Sequence, residues 1–314
     1  MSTFSPTVFS GKRFAVVGLG KNGLPVALGL RSMGADVVAW DDNPAARQAA
    51  VDAMAGPGDR GAPVSPGILT WSDPAQGLFE YDALVLSPGI PHRLPKPHPV
   101  AERAIAAGVP ILSDVELLFR AVRASGSQAR FAGITGTNGK STTTALLAHI
   151  LERAGIPTAA GANLGPPALS LPLLPQDGVY VLEMSSYMLE RLASVRFDAA
   201  VMLNLSPDHI DRHGDMAGYA KAKRAIFDRQ TAQDLAVIGS DDPLVKAQYV
   251  KGASGYLMAN GVDSHYYEER GGVHSLVSLL PSLQRAWNDM LAGVHFNTPE
   301  PDNPSPLPTP SLRY

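Results

Sequence analysis

The densest candidate chemistry in the sequence is the stretch GITGTNGKSTTT at residues 133–144. An apolar run precedes it and apolar residues at helical spacing follow it, which predicts a strand, a glycine-rich turn and a helix. Backbone N–H groups of such a turn, with the amino end of the helix, attract phosphate oxygens. Lys140 would reach the terminal phosphates and Ser141 would hold Mg²⁺. Position 134 is isoleucine where the strict P-loop pattern has glycine, so a turn without a ligand stays the alternative.

A second glycine-rich turn has the spacing Gly18-x-Gly20-x-x-Gly23 and lies between a predicted strand and a predicted helix. Asp41 and Asp42 follow about 20 residues on, at the end of the next predicted strand, which completes the formal dinucleotide fingerprint. Three interpretations stay open for this turn. It could bind NAD(H) with an aspartate on the ribose, bind another diphosphate-bearing molecule, or be a tight turn that binds nothing.

Acidic and imidazole side chains follow two other predicted strands. Glu183 ends the strand predicted at 179–182, and a carboxylate near the P-loop-like turn could complete a Mg²⁺ site. The alternative for Glu183 is an acid favoured by the dipole of the next helix. Asp208, His209 and Asp211 place three metal-capable side chains within four residues, or else form an exposed loop. Lys223 falls on a predicted helix, where a solvent-exposed face is the default.

Composition narrows the class of protein. The chain has 314 residues, no cysteine and a formal net charge of −3, with 45% hydrophobic and 18% charged residues. This profile predicts a globular cytoplasmic protein without disulfides or thiolate metal sites. There is no basic excess typical of a nucleic-acid partner, no apolar run long enough to cross a membrane and no signal-peptide pattern. We expect a monomer.

Strands and helices alternate along the chain, which predicts an α/β fold with mostly parallel, doubly wound sheets. Residues 1–125 are predicted to form a Rossmann-like domain, and residues 126–251 a P-loop-type central domain. Ligands are expected beyond the carboxyl ends of the strands. Residues 252–314 lose the pattern, and six prolines between residues 299 and 310 predict an irregular, disordered tail.

In order and spacing these motifs resemble the Mur ligases, the ATP-dependent amino-acid ligases of peptidoglycan synthesis. The resemblance covers about residues 10–250. The motifs LSPGIP and EMSSYMLE point, within that family, to the ligases that add D-glutamate. The matching stretches are GLGKNG at 18–23, LSPGIP at 86–91, GITGTNGKSTTT at 133–144, GANLGPPAL at 161–169, VLEMSSYMLERL at 181–192, NLSPDHIDRHG at 204–214, YAKAKRAIF at 219–227 and AVIGSDDP at 236–243.

The resemblance implies an enzyme that joins D-glutamate to UDP-N-acetylmuramoyl-L-alanine through an acyl phosphate, using ATP and two Mg²⁺ ions. Its catalytic residues would be Lys140, His209 and Lys223. The metal ligands would be Ser141 and Glu183 for one ion, and His209 and a carbamylated Lys223 for the other. The nucleotide would contact Gly136, Thr137, Asn138, Gly139, Lys140, Ser141 and Thr142. The substrate would contact Gly18, Leu19, Gly20, Lys21, Asn22, Gly23, Asp41, Ser87, Pro88, Gly89 and Asn163.

The sequence departs from the family in two places. Met188 replaces a glutamine that many relatives carry, and no counterpart of the family's third domain follows residue 250. We therefore expect a truncated ligase with impaired activity. Two alternatives are a catalytically inactive remnant that binds a nucleotide or UDP-sugar, and an NAD-dependent oxidoreductase, which would leave the TGTNGKS motif unexplained.

Overall fold

The protein contains two five-stranded sheets in which every strand pairs in parallel with its neighbours. The computed structural model describes residues 3–54, 67–231 and 233–239, together with residues 242, 244 and 245. The tail predicted at 252–314 lies outside these residues, and so does part of the AVIGSDDP stretch.

The first sheet has the strand order β3-β2-β1-β4-β5. The order reverses between β1 and β4, so a crevice opens at their carboxyl ends, where ligands bind in sheets of this kind. The glycine turn at 18–23 follows β1, and residues 87–89 follow β4. The elements are β1 Arg13–Val17, α1 Gly23–Ser32, β2 Asp36–Trp40, α2 Pro44–Met54, β3 Leu69–Trp71, β4 Ala83–Leu86, α3 Pro99–Ala106, β5 Ile111–Leu112 and α4 Asp114–Ala124.

The second sheet has the strand order β10-β9-β6-β8-β7, with β6 at its centre. The loop that leaves β6 therefore lies between the ends of β8 and β9, which bring their own terminal residues to it. The elements are β6 Arg130–Thr135, α5 Lys140–Arg153, β7 Thr158–Ala162, β8 Val179–Glu183, α6 Ser186–Leu189, β9 Ala199–Met202, α7 Ile210–His213, α8 Met216–Arg224 and β10 Leu235–Ile238.

The central strands are apolar on both faces because helices cover both sides of a parallel sheet. All residues of β4, β8, β9 and β10 are buried. Aromatic rings fill the space under the second sheet, where Phe131 stacks on Tyr180 with ring centres 4.8 Å apart. Gly133 leaves room for Phe197, since a Cβ at this position would lie 2.8 Å from that ring.

The predicted α/β class with parallel sheets is confirmed, and the differences concern short elements. The sequence pattern predicts a short helix over residues 185–193, whereas the structure has only the four-residue α6 there. Strand β7 was not predicted, because its sequence TAAGA holds small residues that carry little strand signal. The proposed boundary after residue 125 falls directly after α4, and the division into two domains stays a prediction.

A buried carboxylate fixes the segment that follows α6. Glu116 on α4 is fully buried and accepts the N–H groups of Ala193 at 2.8 Å and Ser194 at 2.9 Å, and the Nε–H of Arg120 at 2.7 Å. Burial alone would raise the pKa of this carboxyl, but the hydrogen bonds from Ser194 and Ala193 outweigh it and hold the pKa below its ordinary value. Glu116 thus ties α4 to the segment that follows α6.

We expect Glu116→Ala to lower the free energy of unfolding by about 2 kcal/mol or more, because it removes a buried acceptor shared by the N–H groups of residues 193–195, that of the buried Val195 included. The pKa of Glu116 is lowered in the folded protein, so its stabilisation is present above the unfolded pKa of about 4.5. That stabilisation is lost as the pH falls through the folded pKa. The advantage of the parent over Glu116→Gln should therefore shrink below about pH 4.5. Urea unfolding at several pH values measures both effects.

The control is Glu152→Ala, which removes an exposed glutamate near the end of α5. Equal losses of stability for Glu116→Ala and Glu152→Ala would contradict the assigned role of Glu116.

Candidate active site

The loop at residues 136–139 joins β6 to the amino end of α5. Its glycines are required by the backbone, since Gly136 has φ 151° and Gly139 has φ 80°. A Cβ at Gly136 would also lie 3.0 Å from the Cβ of Leu203. Successive N–H groups lie here at the start of a 14-residue helix, and this arrangement favours an anion.

Asn204 holds this loop from the neighbouring strand end. Its Oδ1 accepts the N–H groups of Thr137 at 3.1 Å and Asn138 at 2.8 Å, and its Nδ2 donates to the Asn138 carbonyl at 3.0 Å. The Thr137 hydroxyl in turn accepts the N–H of Ser206 at 3.0 Å. The sequence placed Asn204 at a strand end but gave it no role, because only the strand order puts β9 beside β6.

Glu183 brings the predicted ligands of one metal ion together. This carboxylate is 2% exposed, and it accepts the hydroxyl of Ser141 at 2.7 Å and the side-chain amide of Asn163 at 2.6 Å. A hydroxyl and a carboxylate are hard oxygen donors of the kind that Mg²⁺ prefers together with nucleotide phosphates. The donor chemistry therefore fits Mg²⁺ at Ser141 and Glu183.

Lys223 lies on the inner face of α8, and the expectation of an exposed lysine is wrong for it. Its side chain is 2% exposed, and its Nζ donates to the Gly136 carbonyl at 2.8 Å. Burial and then the charge of Lys140 lower the pKa of Lys223 to about 7, while Asp208 and Glu183 act in the opposite direction. Lys221, on the same helix, is the exposed residue.

Lys140 is folded back onto its own loop. Its Nζ donates to the Thr137 carbonyl at 2.8 Å. Burial lowers the pKa of Lys140, and the nearby Glu183 and Asp208 oppose that shift. Lys140 and Lys223 thus lie near the carboxylates of Glu183 and Asp208, and the pKa of each lysine is lowered.

One open cavity of about 190 Å³ lies among these residues. It brings together the predicted catalytic residues Lys140, His209 and Lys223 with the predicted substrate residues Asn163 and Pro88. Asp211, the third metal-capable residue of its stretch, is exposed and does not line this cavity. The lining residues are Pro88, Lys140, Asn163, Ser185, Ser186, Tyr187, Asp208, His209, Tyr219 and Lys223.

Backbone strain is concentrated beside this cavity. Within the described ranges, His209 with φ 51° and Ala162 with φ 82° are the residues other than glycine that have a left-handed backbone. Ala162 directly precedes Asn163, and the ring of His209 lies 5.0 Å from that of Tyr187. Conformations of this kind cost free energy and are found where the surrounding structure fixes a functional side chain.

The metal ligands do not form an all-protein cage. Across the part of the chain that the structure describes, no three His, Asp or Glu side chains meet closely enough to hold a metal ion. The imidazole of His209 pairs with Asp208 at 3.3 Å, and the amine of Lys223 offers no oxygen to a hard cation such as Mg²⁺. A second ion would need further oxygen ligands from a substrate or from a modified lysine.

The glycine turn at residues 18–23 is packed tightly against the loop after β4. Gly18 has φ 90°, and a Cβ there would lie 2.7 Å from the side chain of Ser87, whose hydroxyl donates to the Gly18 carbonyl at 2.8 Å. A Cβ at Gly23 would collide with the same carbonyl. At Gly20, by contrast, no atom lies within 4 Å of an added Cβ, so this glycine faces open space.

The acids after β2 are engaged within the protein. Asp41 accepts the N–H of Leu19 at 2.7 Å through one oxygen and the N–H of Asn43 at 2.9 Å through the other. Asp42 pairs with His98 at 2.7 Å. Asp41 therefore shapes the turn itself, whereas the NAD interpretation assigns an acid at this position to a ribose hydroxyl. The other predicted residues of this site, Lys21, Asn22, Pro88 and Gly89, lie in the two facing loops.

Comparison with known proteins identifies a domain. Residues 134–277 match the family model of the Mur ligase middle domain. The chain is 50% identical over 239 residues to a UDP-N-acetylmuramoylalanine–D-glutamate ligase of Paramagnetospirillum magneticum, a match that covers 76% of this chain and 48% of the relative. A Caulobacter enzyme of the same name is 48% identical over 237 residues, covering 75% of this chain and 48% of the relative. The chain thus spans about half the length of the curated relatives it matches.

Solved structures agree with this fold. A murein peptide ligase of Psychrobacter arcticus aligns with 91% of this chain and 68% of its own, with a TM-score of 0.52 and 17% identity. A UDP-N-acetylmuramate:L-alanyl-γ-D-glutamyl-meso-diaminopimelate ligase of Neisseria aligns with 81% of this chain and 77% of its own, with a TM-score of 0.51 and 19% identity. At these identities the likeness concerns the fold. No helix among the described residues has the length and apolar character to cross a membrane.

The lowered pKa of Lys223 predicts a dependence of stability on pH. Below about pH 7 the lysine is charged in both states, and its burial penalises the folded state. This penalty is relieved between about pH 7 and the unfolded pKa of 10.5, so stability should rise in that window. The rise is at most about 1.4 kcal/mol per pH unit for one proton.

We expect Lys223→Met to lack this rise, while Lys221→Met, on the exposed side of the same helix, should keep it. Chemical denaturation from pH 6 to 10 in buffers without carbon dioxide measures the difference. Parallel stability curves for the parent and Lys223→Met would show that the amine is not held in the buried environment described above.

Proposed function

We propose that this chain, which carries a Mur ligase middle domain, takes part in the ATP-dependent joining of D-glutamate to UDP-N-acetylmuramoyl-L-alanine in peptidoglycan synthesis. The observation that carries the proposal is the cavity lined by Lys140, Lys223 and Asn163. The amide of Asn163 donates to Glu183, the carboxylate that also accepts the Ser141 hydroxyl. High identity to D-glutamate ligases over three quarters of the chain supports the choice of substrate.

The reaction has two steps. The L-alanine carboxylate of the substrate attacks the γ-phosphate of ATP, ADP leaves, and an acyl phosphate forms. The amine of D-glutamate then attacks the acyl carbon, phosphate leaves, and the amine loses a proton. The protein's contribution is positioning and neutralisation of negative charge more than acid–base chemistry. Lys140 would stabilise the charge on the transferring phosphate, and the loop N–H groups would orient the nucleotide.

Ser141 and Glu183 would hold one Mg²⁺, which neutralises phosphate charge when bound. The Ser141 hydroxyl donates to the Glu183 carboxylate, so the two oxygens lie side by side. His209 would hold a second ion together with a modified Lys223. These roles are proposals from the donor chemistry of the residues that line the cavity.

Carbamylation would make Lys223 a suitable ligand. The neutral amine attacks carbon dioxide, an N–C bond forms, one proton leaves to solvent, and the product is an anionic carbamate with two oxygens. A pKa of about 7 supports this step, because a substantial fraction of the amine is neutral at physiological pH. The carbamate would also reverse the unfavourable charge of Lys223 beside Lys140.

The UDP end of the substrate would bind at the glycine turn and at Ser87–Gly89, across the crevice of the first sheet. The open side of Gly20 supports this assignment, because backbone without a side chain can approach a diphosphate closely. Pro88 lines the cavity of the second sheet as well, so one extended molecule could reach from the turn to Lys140. A cytoplasmic monomer would suit the nucleotide substrates.

Two substitutions in the 314-residue chain should separate the two sites. Gly20→Val should weaken binding of UDP-N-acetylmuramoyl-L-alanine about tenfold or more and leave Mg-ATP binding unchanged. Lys140→Ala should weaken Mg-ATP binding about tenfold or more and leave binding of the UDP-sugar unchanged. One charge-assisted contact contributes about 1.4 kcal/mol or more, which corresponds to this factor. Both variants should keep the parent's melting temperature, because Gly20 has space for a side chain and the hydrogen bond of Lys140 stays within its own loop. Calorimetric titration measures each affinity.

Lys221→Ala, which removes an exposed amine outside the cavity, serves as the control for lost charge. The proposed function fails if the parent chain binds neither ligand, or if it binds NADH more tightly than the UDP-sugar. Binding of both ligands without formation of the D-glutamyl product, checked by mass, would favour the interpretation as a binding remnant.

Carbamylation of Lys223 predicts a specific signal. With ¹³C-labelled bicarbonate, the parent chain should show a protein-bound carbamate carbon by NMR, and Lys223→Met should not. Lys221→Met should retain the signal, which controls for the removal of a lysine from the same helix. An identical spectrum for the parent and Lys223→Met would remove carbamylation from the proposal.

A further inference from the structure

Arg191 is a buried cation that the reaction does not use. It follows α6, is 3% exposed, and donates to the carbonyls of Leu86 at 2.8 Å and Ile90 at 2.6 Å. A longer bond of 3.3 Å reaches the carbonyl of Ser87, and its Nε approaches Nδ1 of His92 at 3.4 Å. Within the described part of the chain its hydrogen bonds go to the loop after β4 and to no carboxylate.

A guanidinium in this buried position costs free energy, because its charge is removed from water. Burial and then the charge of Arg212 lower its pKa to about 10, while Glu190 acts in the opposite direction. An apolar side chain of similar length would avoid this cost, but it would leave the carbonyls of the loop without donors. The planar group with its fixed N–H directions instead determines where those carbonyls lie.

Arg212 adds a second set of bonds to the same loop. It donates to the carbonyl of Gly89 at 3.0 Å, with longer contacts of 3.5 Å to those of Pro88 and Ile90. Both arginines belong to the part of the chain that builds the second sheet, whereas the loop belongs to the first sheet. The loop of the first sheet is therefore held by side chains from the part of the chain that builds the second sheet.

The fixed loop determines the geometry of both candidate sites. Ser87 fills the space beside Gly18 and donates to its carbonyl, so a shift of the loop would move the glycine turn. Pro88 lines the cavity that contains Lys140 and Lys223. The carbonyl contacts of Arg191 thus lie between the diphosphate turn and the cavity where the reaction is proposed to occur.

We propose that Arg191 is a positioning residue for the UDP-linked substrate, which acts by holding the carbonyls of residues 86–90 so that the glycine turn and Pro88 accept the ligand together. This inference rests on the proposed function, because it assigns the UDP end to that loop.

The test compares two affinities on the same 314-residue chain. Arg191→Met should weaken binding of UDP-N-acetylmuramoyl-L-alanine, and of UDP alone, by about tenfold, while Mg-ATP binding should change less than about twofold. Arg191→Lys should not restore the affinity, because one ammonium cannot reproduce the fork of the guanidinium. If Arg191 only stabilised the fold, its substitution would lower both affinities or neither. A loss of UDP-sugar affinity with unchanged Mg-ATP affinity is therefore the decisive result.

Two further variants keep the test informative if Arg191→Met unfolds. Arg212→Met removes the less buried of the two arginines that donate to this loop. It should weaken binding of the UDP-sugar and leave Mg-ATP binding unchanged. Arg229→Met is the matched control, since Arg229 donates to the backbone carbonyl of Val195, away from the loop. It should leave both affinities unchanged.

The outcomes separate this inference from the function on which it rests. If the parent chain does not bind the UDP-sugar, the proposed function and this inference are both overturned. If the parent binds it and a folded Arg191→Met binds it equally well, only the role of Arg191 is overturned. If Arg191→Met does not fold, unchanged UDP-sugar binding by Arg212→Met overturns the claim that these carbonyl contacts position the loop.

Discussion

Backbone carbonyls that follow the carboxyl ends of parallel strands have no N–H donor on a neighbouring strand. In this protein, long cationic side chains donate hydrogen bonds to them. Lys223 serves the carbonyl of Gly136, Lys140 that of Thr137, and Arg191 those of Leu86 and Ile90. A buried carbonyl without a donor costs as much as a lost hydrogen bond. The need to pair these groups therefore brings positive charge to the edges of the sheets where ligands bind.

This arrangement has an electrostatic consequence. The pKa values of Lys140, Lys223 and Arg191 are all lowered, with burial as the largest cause in each case. Such a site favours the approach of anions, because phosphate and carboxylate groups compensate charge that the fold has desolvated. Glu183 and Asp208 offset part of the positive charge, and they leave a mixed site that suits a metal ion bridging protein and phosphate oxygens.

The same kind of contact joins the two sheets. Glu116 on α4 accepts the N–H groups of residues 193–194, and Arg191 donates to the loop at 86–90. Each contact is a charged side chain bound to backbone, and displacement of either partner leaves a buried polar group unpaired. The position of Pro88 in the cavity of the second sheet follows from these contacts. The proposed substrate would lie along the surface they fix.

Much of this architecture can be predicted from the sequence. Local patterns are sufficient for the long strands, the two glycine turns and the α/β class, because apolar periodicity and glycine spacing are properties of neighbouring residues. Lys140 and Ser141 belong to one such pattern, and the resemblance to Mur ligases names Glu183, His209 and Lys223. The short strands β3, β5 and β7 are missed, since so few residues carry a weak signal. The 11-residue α2 is also missed, because its alanine-rich sequence has little apolar periodicity.

Only the tertiary structure decides which of these residues meet and in what state. Residue type does not distinguish Lys223 from Lys221, and it is the packing of α8 that buries one amine against Gly136 and exposes the other. Asn204 and Arg191 act on loops 66 and about 100 residues away in the chain, through the strand order and the meeting of the two sheets. The sequence by itself thus determines the elements and the chemical groups they carry. Burial, the resulting pKa values and the pairing of distant polar groups arise only when the chain is folded, because they depend on neighbours that are close in space and distant in sequence.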